Sequence, residues 1–370
     1  MSRPVWIRLP LVADILEKAD TLVLDAASRL SGGRRPMGPD VERAHPPRTR
    51  SPLYNESFYF NFFDQNLKSA GFIWIGKLPN QKTINSVLVI FAPGKDVLAL
   101  FATEPYPRHT DVLRCGPMAY EPLEPLWKWR ILSSGDMVKV KERGEGFGAE
   151  DFFAPPQGTQ FVPVSLDFTF TGVAPVHNSK DYCAAALARQ MREKNFGLKD
   201  FAGVRKIAAN HYEQVGTCEG TLRIKDKEYT LHAMGHRDHS WGIRDWYAPK
   251  AWTWLTVQFG ADAALNLCRM VVGDIDLFMG FILHGGKINP LSNASLETEF
   301  EPDGYTQKNI RFFAQDTSGF SVNVTGKAHR VIRLARGDAS HRVVVNEAMT
   351  LYEWEGRQAW GISEYLKKLS

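Results

Sequence analysis

The sequence predicts a mainly β protein in two β-rich halves, with one helix at the N-terminus and another between the halves. Three observations carry this. Aromatic residues make up 12% of the chain, with ten Trp and twenty-two Phe, which suits sheet packing and large apolar pockets. Short runs rich in Phe, Trp, Ile and Val alternate with turn residues at the spacing of an antiparallel meander. A helical period with stop signals is clearest in residues 10–30 and 178–196.

Taken in order, Leu11, Ile15, Leu22 and Leu30 recur near helical spacing behind Pro10. They predict an amphipathic helix, broken near Thr21, that docks on its own fold. Its polar face is acidic, so among membrane roles only peripheral contact is left to it. Residues 31–52 are rich in Gly, Pro and Arg and predict a mobile linker arm. Strands are then expected at Ser57–Asp64, Ala70–Lys77, Ser86–Ala92, Val97–Phe101, Met118–Leu123, Trp127–Ser133, Met137–Val140 and Leu166–Thr171. In residues 178–196 an Ala run sits between the cap candidates Asn178 and Ser179 and the stop Gly197. Strands resume at Asn210–Gly216, Thr217–Ile224, Glu228–His236, Trp252–Phe259, Ala264–Val271 and Leu277–His284, around turns at Lys225-Asp226-Lys227 and Gly285-Gly286. The tail adds Glu297–Glu301, Asn309–Asp316, Ser321–Gly326, Val343–Trp354 and Gly361–Leu366. This divides the chain into a helix and arm (1–50), a first β domain (51–177), a connecting helix (178–200) and a second β domain (201–370). Each β domain fits a barrel or a sandwich.

Composition excludes several classes. Forty-five Lys and Arg against forty-one Asp and Glu leave +4, too balanced and too evenly spread for nucleic acid. Cys115, Cys183, Cys218 and Cys268 form no CxxC pair, so buried free thiols in a reducing compartment are expected. No stretch of about 18 apolar residues predicts a spanning helix. Asp14, Glu17, Asp20 and Asp25 interrupt any signal-peptide core, and a cytoplasmic location is expected. The oligomeric state is not legible.

The chain is organised around Gly235-His236-Arg237-Asp238-His239-Ser240-Trp241-Gly242-Ile243-Arg244-Asp245-Trp246. Acids, imidazoles, arginines and tryptophans in one run suggest a cavity wall that is apolar in body and polar at chosen points. Strand alternation puts His232, Met234, His236 and Asp238 on one face, and His211 with Glu213 on one face upstream. His211, Glu213, His236 and Asp238 are therefore the candidate catalytic residues, facing one lumen. A buried carboxyl, Asp238 or Glu213, would be the proton donor, because desolvation raises its pKa. Arg237 or Arg244 would hold a second carboxylate ionised. Trp241, Trp246, Trp252 and Trp254 would supply π faces able to hold a cation. His232, His236 and Asp238 could form a metal triad, but the Trp and Arg content is unusual for one. No metal and no cofactor is expected. A second cluster, Tyr54 to Asp64, places Glu56 at the head of an apolar stripe with Phe58, Phe60 and Phe62. Glu353, Trp354, Gly356, Arg357, Gly361 and Glu364 suggest a hairpin with a charged rim.

These residues resemble a known group. His211-Tyr212-Glu213-Gln214, Gly220 and Gly235 to Gly242, with Asn55 to Phe60, Glu124-Pro125-Leu126 and the closing Trp354 to Tyr365, are similar to a bacterial group related to the carotenoid 1,2-hydratase (hydroxyneurosporene synthase) superfamily. The resemblance covers roughly residues 51–368. It implies two consecutive lipocalin-like antiparallel β-barrels with a ligand cavity. In that superfamily, members hydrate or dehydrate alkenes of isoprenoids and flavonoids, and some catalyse cycloadditions. Its pattern is an Asp preceded by an aromatic position and followed by a basic residue, an acid and an aromatic. Asp238, His239 and Trp241 match, whereas Arg237 and Ser240 depart.

Together these readings predict a cofactor-independent enzyme acting on a lipophilic, isoprenoid-like alkene by acid-initiated carbocation chemistry. Hydration or dehydration, cyclisation and isomerisation are the candidate outcomes. Arg237, His239, Trp241, Trp246, Trp252, Trp254, Glu56 and Tyr59 would contact the substrate. The alternative is a non-catalytic carrier or sensor of a lipophilic small molecule.

Overall fold

The computed structural model describes residues 10–369 apart from 34, 108, 110, 112, 145, 194–209, 273–274 and 338–341. A helix, α1 (Pro10–Leu30), leads into β1 (Tyr54–Asp64), β2 (Ser69–Leu78), β3 (Thr83–Phe91) and β4 (Val97–Pro105). Next come β5 (Arg114–Cys115), β6 (Met118–Glu124), β7 (Lys128–Val140), a short α2 (Ala149–Phe153), β8 (Phe161–Gly172) and β9 (His177–Asn178). Helix α3 (Ala184–Glu193) precedes β10 (Asn210–Ile224) and β11 (Lys227–Ile243). The second half holds β12 (Ala251–Gly260), β13 (Ala263–Val272), β14 (Ile275–His284) and β15 (Lys287–Phe300). It ends with β16 (Gln307–Asp316), β17 (Ser321–Gly337), β18 (Arg342–Trp354) and β19 (Arg357–Leu369).

Strands β12 to β19 close into an eight-stranded antiparallel barrel. The first sheet runs β4-β3-β2-β1-β11-β10-β8-β7-β6-β5, and Val97 to Ala99 of β4 also pair with Val138 to Val140 of β7, joining the ends of a second ring. The mainly β expectation therefore holds. The boundary at residue 201 does not follow the pairing, because β10 and β11 complete the first barrel. β11 runs beside β1 from Tyr54↔Ile243 to Phe63↔Met234, so the first barrel needs two separated stretches of chain. The change of barrel falls between Ile243 and Ala251.

Each barrel has its own core: Phe58, Phe60, Phe62, Ile73, Trp129 and Phe170 in the first; Leu255, Leu265, Phe312, Val324 and Tyr352 in the second. The turns match the expected chemistry. Gly285 and Gly286 have φ of 57° and 74°, the left-handed pair of a tight hairpin. The barrels meet through outward residues, with Tyr59, Phe72, Val89 and Ala99 of the first against Trp254, Ile332, Met349 and Ile362 of the second. Gln258 Nε2 of β12 donates to the carbonyl of Gly216 at 3.1 Å and to that of Gly235, pinning β12 to the β10–β11 pair.

Helix α1 is unbroken at Thr21, whose hydroxyl donates to the Glu17 carbonyl at 2.8 Å within the helix. It docks on its own fold: Leu24 packs against Leu187, Met191 and Met270, and Tyr182 donates to the Leu24 carbonyl at 2.9 Å. No helix among the described residues is long and apolar enough to cross a membrane. α3 begins at Ala184 because His177 and Asn178 are taken by a short strand against Glu213 and Tyr212. The expected helix end and its stop at Gly197 lie outside the described residues, as do the first nine residues of the expected helix and arm. All four cysteines are free thiols.

The arm corrects the expectation of a mobile linker. Glu42 reaches into the first barrel and pairs with Arg237 at 2.8 Å, and it also accepts from the Leu126 amide at 2.9 Å. His45 donates its amide to Glu56 at 3.0 Å and places Nδ1 2.8 Å from the same oxygen. The Arg237 side chain is only 2% exposed, so the guanidinium needs a partner. Glu42→Gln should cost about 3–5 kcal/mol in urea unfolding, the loss expected when one partner of a buried pair is removed. A loss below about 1 kcal/mol, the scale of an exposed pair, would contradict this account of the arm.

Candidate active site

The register of β10 and β11 assembles the expected residues. Glu213 stands opposite Asp238, His211 opposite Ser240 and Val215 opposite His236. Side chains alternate along a strand. Leu231 and Ala233 of β11 belong to the first barrel's core, so the opposite face, with His236 and Asp238, points outward. The four candidates therefore meet between the barrels, not inside a lumen. His211 Nε2 lies 2.6 Å from Asp238 Oδ2 and 3.2 Å from Glu213 Oε1. His236 Nε2 lies 2.7 Å from Glu213 Oε2.

A cavity of about 260 Å³ lies there, at the small end of ligand pockets. Its apolar walls include Tyr59 and Phe72 of the first barrel and Trp252 and Trp254 of the second, with Trp246 from the linker between them. Trp246 and Trp252 stack at a tilt, 4.9 Å between centroids, and Tyr59 meets Trp254 edge-on at 5.4 Å. His211, Glu213 and Asp238 reach the cavity, whereas His236 sits behind Glu213 and is 2% exposed.

The protonation pattern differs from expectation. Burial alone would push the Asp238 carboxyl up, but the His211 charge and its close contact, with Arg244 beyond, bring it below its ordinary value of 3.8. Burial alone would push His211 down, but the charges of Asp238 and then Glu213 raise it above 6.5. Asp238 and His211 therefore form an ion pair, and Asp238 is not the protonated acid that desolvation alone predicts. Glu213 accepts from His236, from Trp254 Nε1 at 3.2 Å and from Asn266 Nδ2, which engages most of its lone pairs. His177, opposite Glu213 on β9, is pushed down to about 4 by burial and stays neutral.

The protonated acid is across the cavity. Glu347 of β18 and Glu364 of β19 are directly paired and both line it. Burial raises both, and for Glu347 the charge of Glu364 and a hydrogen bond with it add to the rise. Two carboxyls so close cannot both ionise, so the pair holds a proton. Trp252 Nε1 donates to Glu364 Oε1, which fixes that oxygen. Glu347 Oε2 is buried with no hydrogen-bond partner among the described residues. Glu364 is therefore not part of an exposed hairpin rim; that rim is formed by the turn at Glu355-Gly356.

Other expected contacts fall elsewhere. Arg237 and His239 point the opposite way from Asp238, into the first barrel. Arg237 pairs with Glu42 and accepts no role beside Asp238; its guanidinium lies 5.2 Å from the Tyr212 ring centroid. His239 stacks on Phe58 at 3.9 Å and lies 3.2 Å from Glu56. Glu56 is consumed by His45 and His239, with the Lys77 charge also acting on it, and Trp241 stacks on His45 at 3.8 Å. Glu56, Arg237, His239 and Trp241 are thus walled off from the cavity. His232 is exposed, so the His232, His236, Asp238 triad is not assembled. His211, Glu213 and Asp238, and separately His45, Glu56 and His239, bring potential ligand atoms within 4.8 Å of one another. In the second set Lys77 adds a positive charge that opposes a cation.

Residues 38–368 match the family described as Domain of unknown function (DUF7064). The chain belongs to that family. No curated protein matches it. Among solved structures, a Nitrosomonas europaea protein described as AttH is 12% identical with a TM-score of 0.53, over 90% of this chain and 97% of that one. CghA is 11% identical with a TM-score of 0.52, over 86% and 89%. Kievitone hydratase from Nectria haematococca is 10% identical with a TM-score of 0.50, over 90% and 96%. These are likenesses of fold.

The two shifts set opposite pH windows. The Asp238 contribution to stability is complete above 3.8 and is lost as pH falls through its lower folded value; the His211 contribution is complete below 6.5 and is lost as pH rises through its higher folded value. Asp238→Asn should lower the His211 pKa, read from its ring resonances by NMR, and should destabilise more at pH 6 than at pH 9. An unshifted His211 titration would contradict the pair.

Proposed function

We propose that this protein is an enzyme of the hydratase or lyase type that acts on a lipophilic alkene, with Glu347 as proton donor and Asp238 as base. One observation carries the reading: the directly paired, buried Glu347 and Glu364 face an aromatic-walled cavity that they share with the closely set Asp238 and His211. Groups whose surroundings drive their pKa values apart are the signature of an acid and a base in one site.

In the hydration direction, the Glu347 O–H gives its proton to one alkene carbon. A C–H bond forms from the π electrons, and the cation is left on the other carbon. Trp246, Trp252, Trp254 and Tyr59 line the space around it, so that a ring face can hold the charge while bulk water is kept away. One water then attacks, and Asp238 takes its proton while His211 holds the carboxylate in place. Solvent exchange returns the proton from Asp238 to Glu347. Dehydration is the same path reversed, and loss of a neighbouring proton to Asp238 gives isomerisation or, after internal capture, a ring. The fold shared with kievitone hydratase supports a hydratase-type activity without naming the substrate. Glu213 and His236 serve as positioning residues, bracing His211.

Lipophilic alkenes incubated with the protein in D2O and followed by mass spectrometry test the reading. The wild type should convert one with incorporation of carbon-bound deuterium. Glu347→Gln should slow this by about 10²- to 10⁴-fold, the usual worth of a general acid, with ligand affinity little changed. Tight retention of ligand with no conversion would make the protein a carrier, and full activity in Glu347→Gln would remove the proposed donor.

A further inference from the structure

Resting on the alkene-acting reading, one feature of the same cavity narrows the substrate. Each carboxylate that lines the cavity already has a partner, Asp245 accepting from the Tyr247 amide at 2.9 Å. Asp238 has His211; Glu213 has His236, Trp254 and Asn266; Glu364 has Glu347 and Trp252. The guanidinium of Arg244 has none of them. It lines the cavity from the linker just after β11, half-buried, with its carbon 5.5 Å from the Trp246 ring centroid. Its backbone is tied down by the amide's hydrogen bond to the Leu53 carbonyl at 2.9 Å. Among the described residues no carboxylate lies within ion-pair distance of its side chain.

A guanidinium carries five N–H donors in a planar fork and stays charged at any physiological pH. With its carbon over the Trp246 ring and no carboxylate paired to it among the described residues, the fork keeps an edge for a ligand. A planar, bidentate acceptor suits that edge, and carboxylate is the group that matches it. The charge of Arg244 acts on both Asp238 and Glu364, so the cation lies within electrostatic reach of the proposed base and acid.

We propose that Arg244 receives a carboxylate on the substrate, so that the substrate class is a small unsaturated carboxylic acid with a lipophilic tail rather than a neutral hydrocarbon or alcohol. The carboxylate anchors at the linker, the tail lies against Trp252, Trp254 and Tyr59, and the double bond is held between Glu347 and Asp238. Anchoring at one end explains how a mostly apolar cavity selects one double bond: an apolar wall alone discriminates poorly between positions along a chain.

Geranate and geraniol, alike in skeleton and different in charge, are suitable probes by calorimetry at neutral pH. Wild-type protein should bind geranate about tenfold or more tightly than geraniol, the scale of one charge-assisted bidentate contact. Arg244→Met should remove the preference while leaving geraniol affinity unchanged, and Arg244→Lys should keep part of it. Equal affinity in the wild type, a preference that survives Arg244→Met, or no binding of either probe would overturn the assignment. Glu347→Gln should keep the preference. Its loss of deuterium incorporation bears on the acid alone, so failure of the anchor and failure of the chemistry are read separately.

Discussion

Glu213, Asp238, Glu347 and Glu364 lie where two β-barrels press their outer faces together, and bulk water cannot solvate four anions there. Each needs a counter-charge, a set of donors or a proton. The first barrel answers with imidazoles: His211 for Asp238 and His236 for Glu213. The second barrel answers with a proton shared across β18 and β19. The difference follows from local supply. Trp252 is the only protein donor besides the acid pair itself that the described contacts give Glu364, and one neutral indole cannot balance two charges. The chemical asymmetry of the cavity is thus a consequence of how each barrel resolves the same electrostatic cost.

That arrangement depends on how the barrels are joined. The first barrel is closed by β10 and β11, the last strands before the chain enters the second. The strand pair that carries His211, Glu213, His236 and Asp238 is therefore held to β12 by Gln258 and by the apolar layer around Trp254. The N-terminal arm braces the same pair from behind, with Glu42 on Arg237 and His45 stacked on Trp241. Alternation along β11 sends Arg237 and His239 into that inner network while Asp238 faces the cavity. A single polar run thus serves two separate networks, one on each face of the sheet.

Much of this was legible in the sequence. Strand positions followed from aromatic and β-branched runs between turn residues, and strand alternation put His211 with Glu213 and His236 with Asp238 on shared faces, although these faces meet between the barrels and not in a lumen. Partition between barrels was not legible, because pairing of β11 with β1 across more than a hundred residues leaves no local mark. Of the two arginines offered to hold a second carboxylate ionised, Arg237 faces away from Asp238 because adjacent strand residues face apart, and it is Arg244 whose charge acts on Asp238. Glu347 went unnoticed although a signal exists, since it interrupts an apolar face that carries Val343, Val345 and Met349. A carboxylate on such a face needs either a partner or a proton. Glu364 was read as rim because its exposure depends on the second barrel packing against the first.

The most direct measurement of the central claim is the infrared spectrum of the protein at neutral pH, in the region where protonated carboxylic acids absorb. A carbonyl band that shifts in D2O and disappears in Glu347→Gln is the expected result. It would mean that the pair carries a proton while Asp238 stays ionised. A spectrum with no such band, or one whose band survives in Glu347→Gln and is lost in Asp238→Asn, would contradict it, placing the acid in the first barrel or removing it altogether.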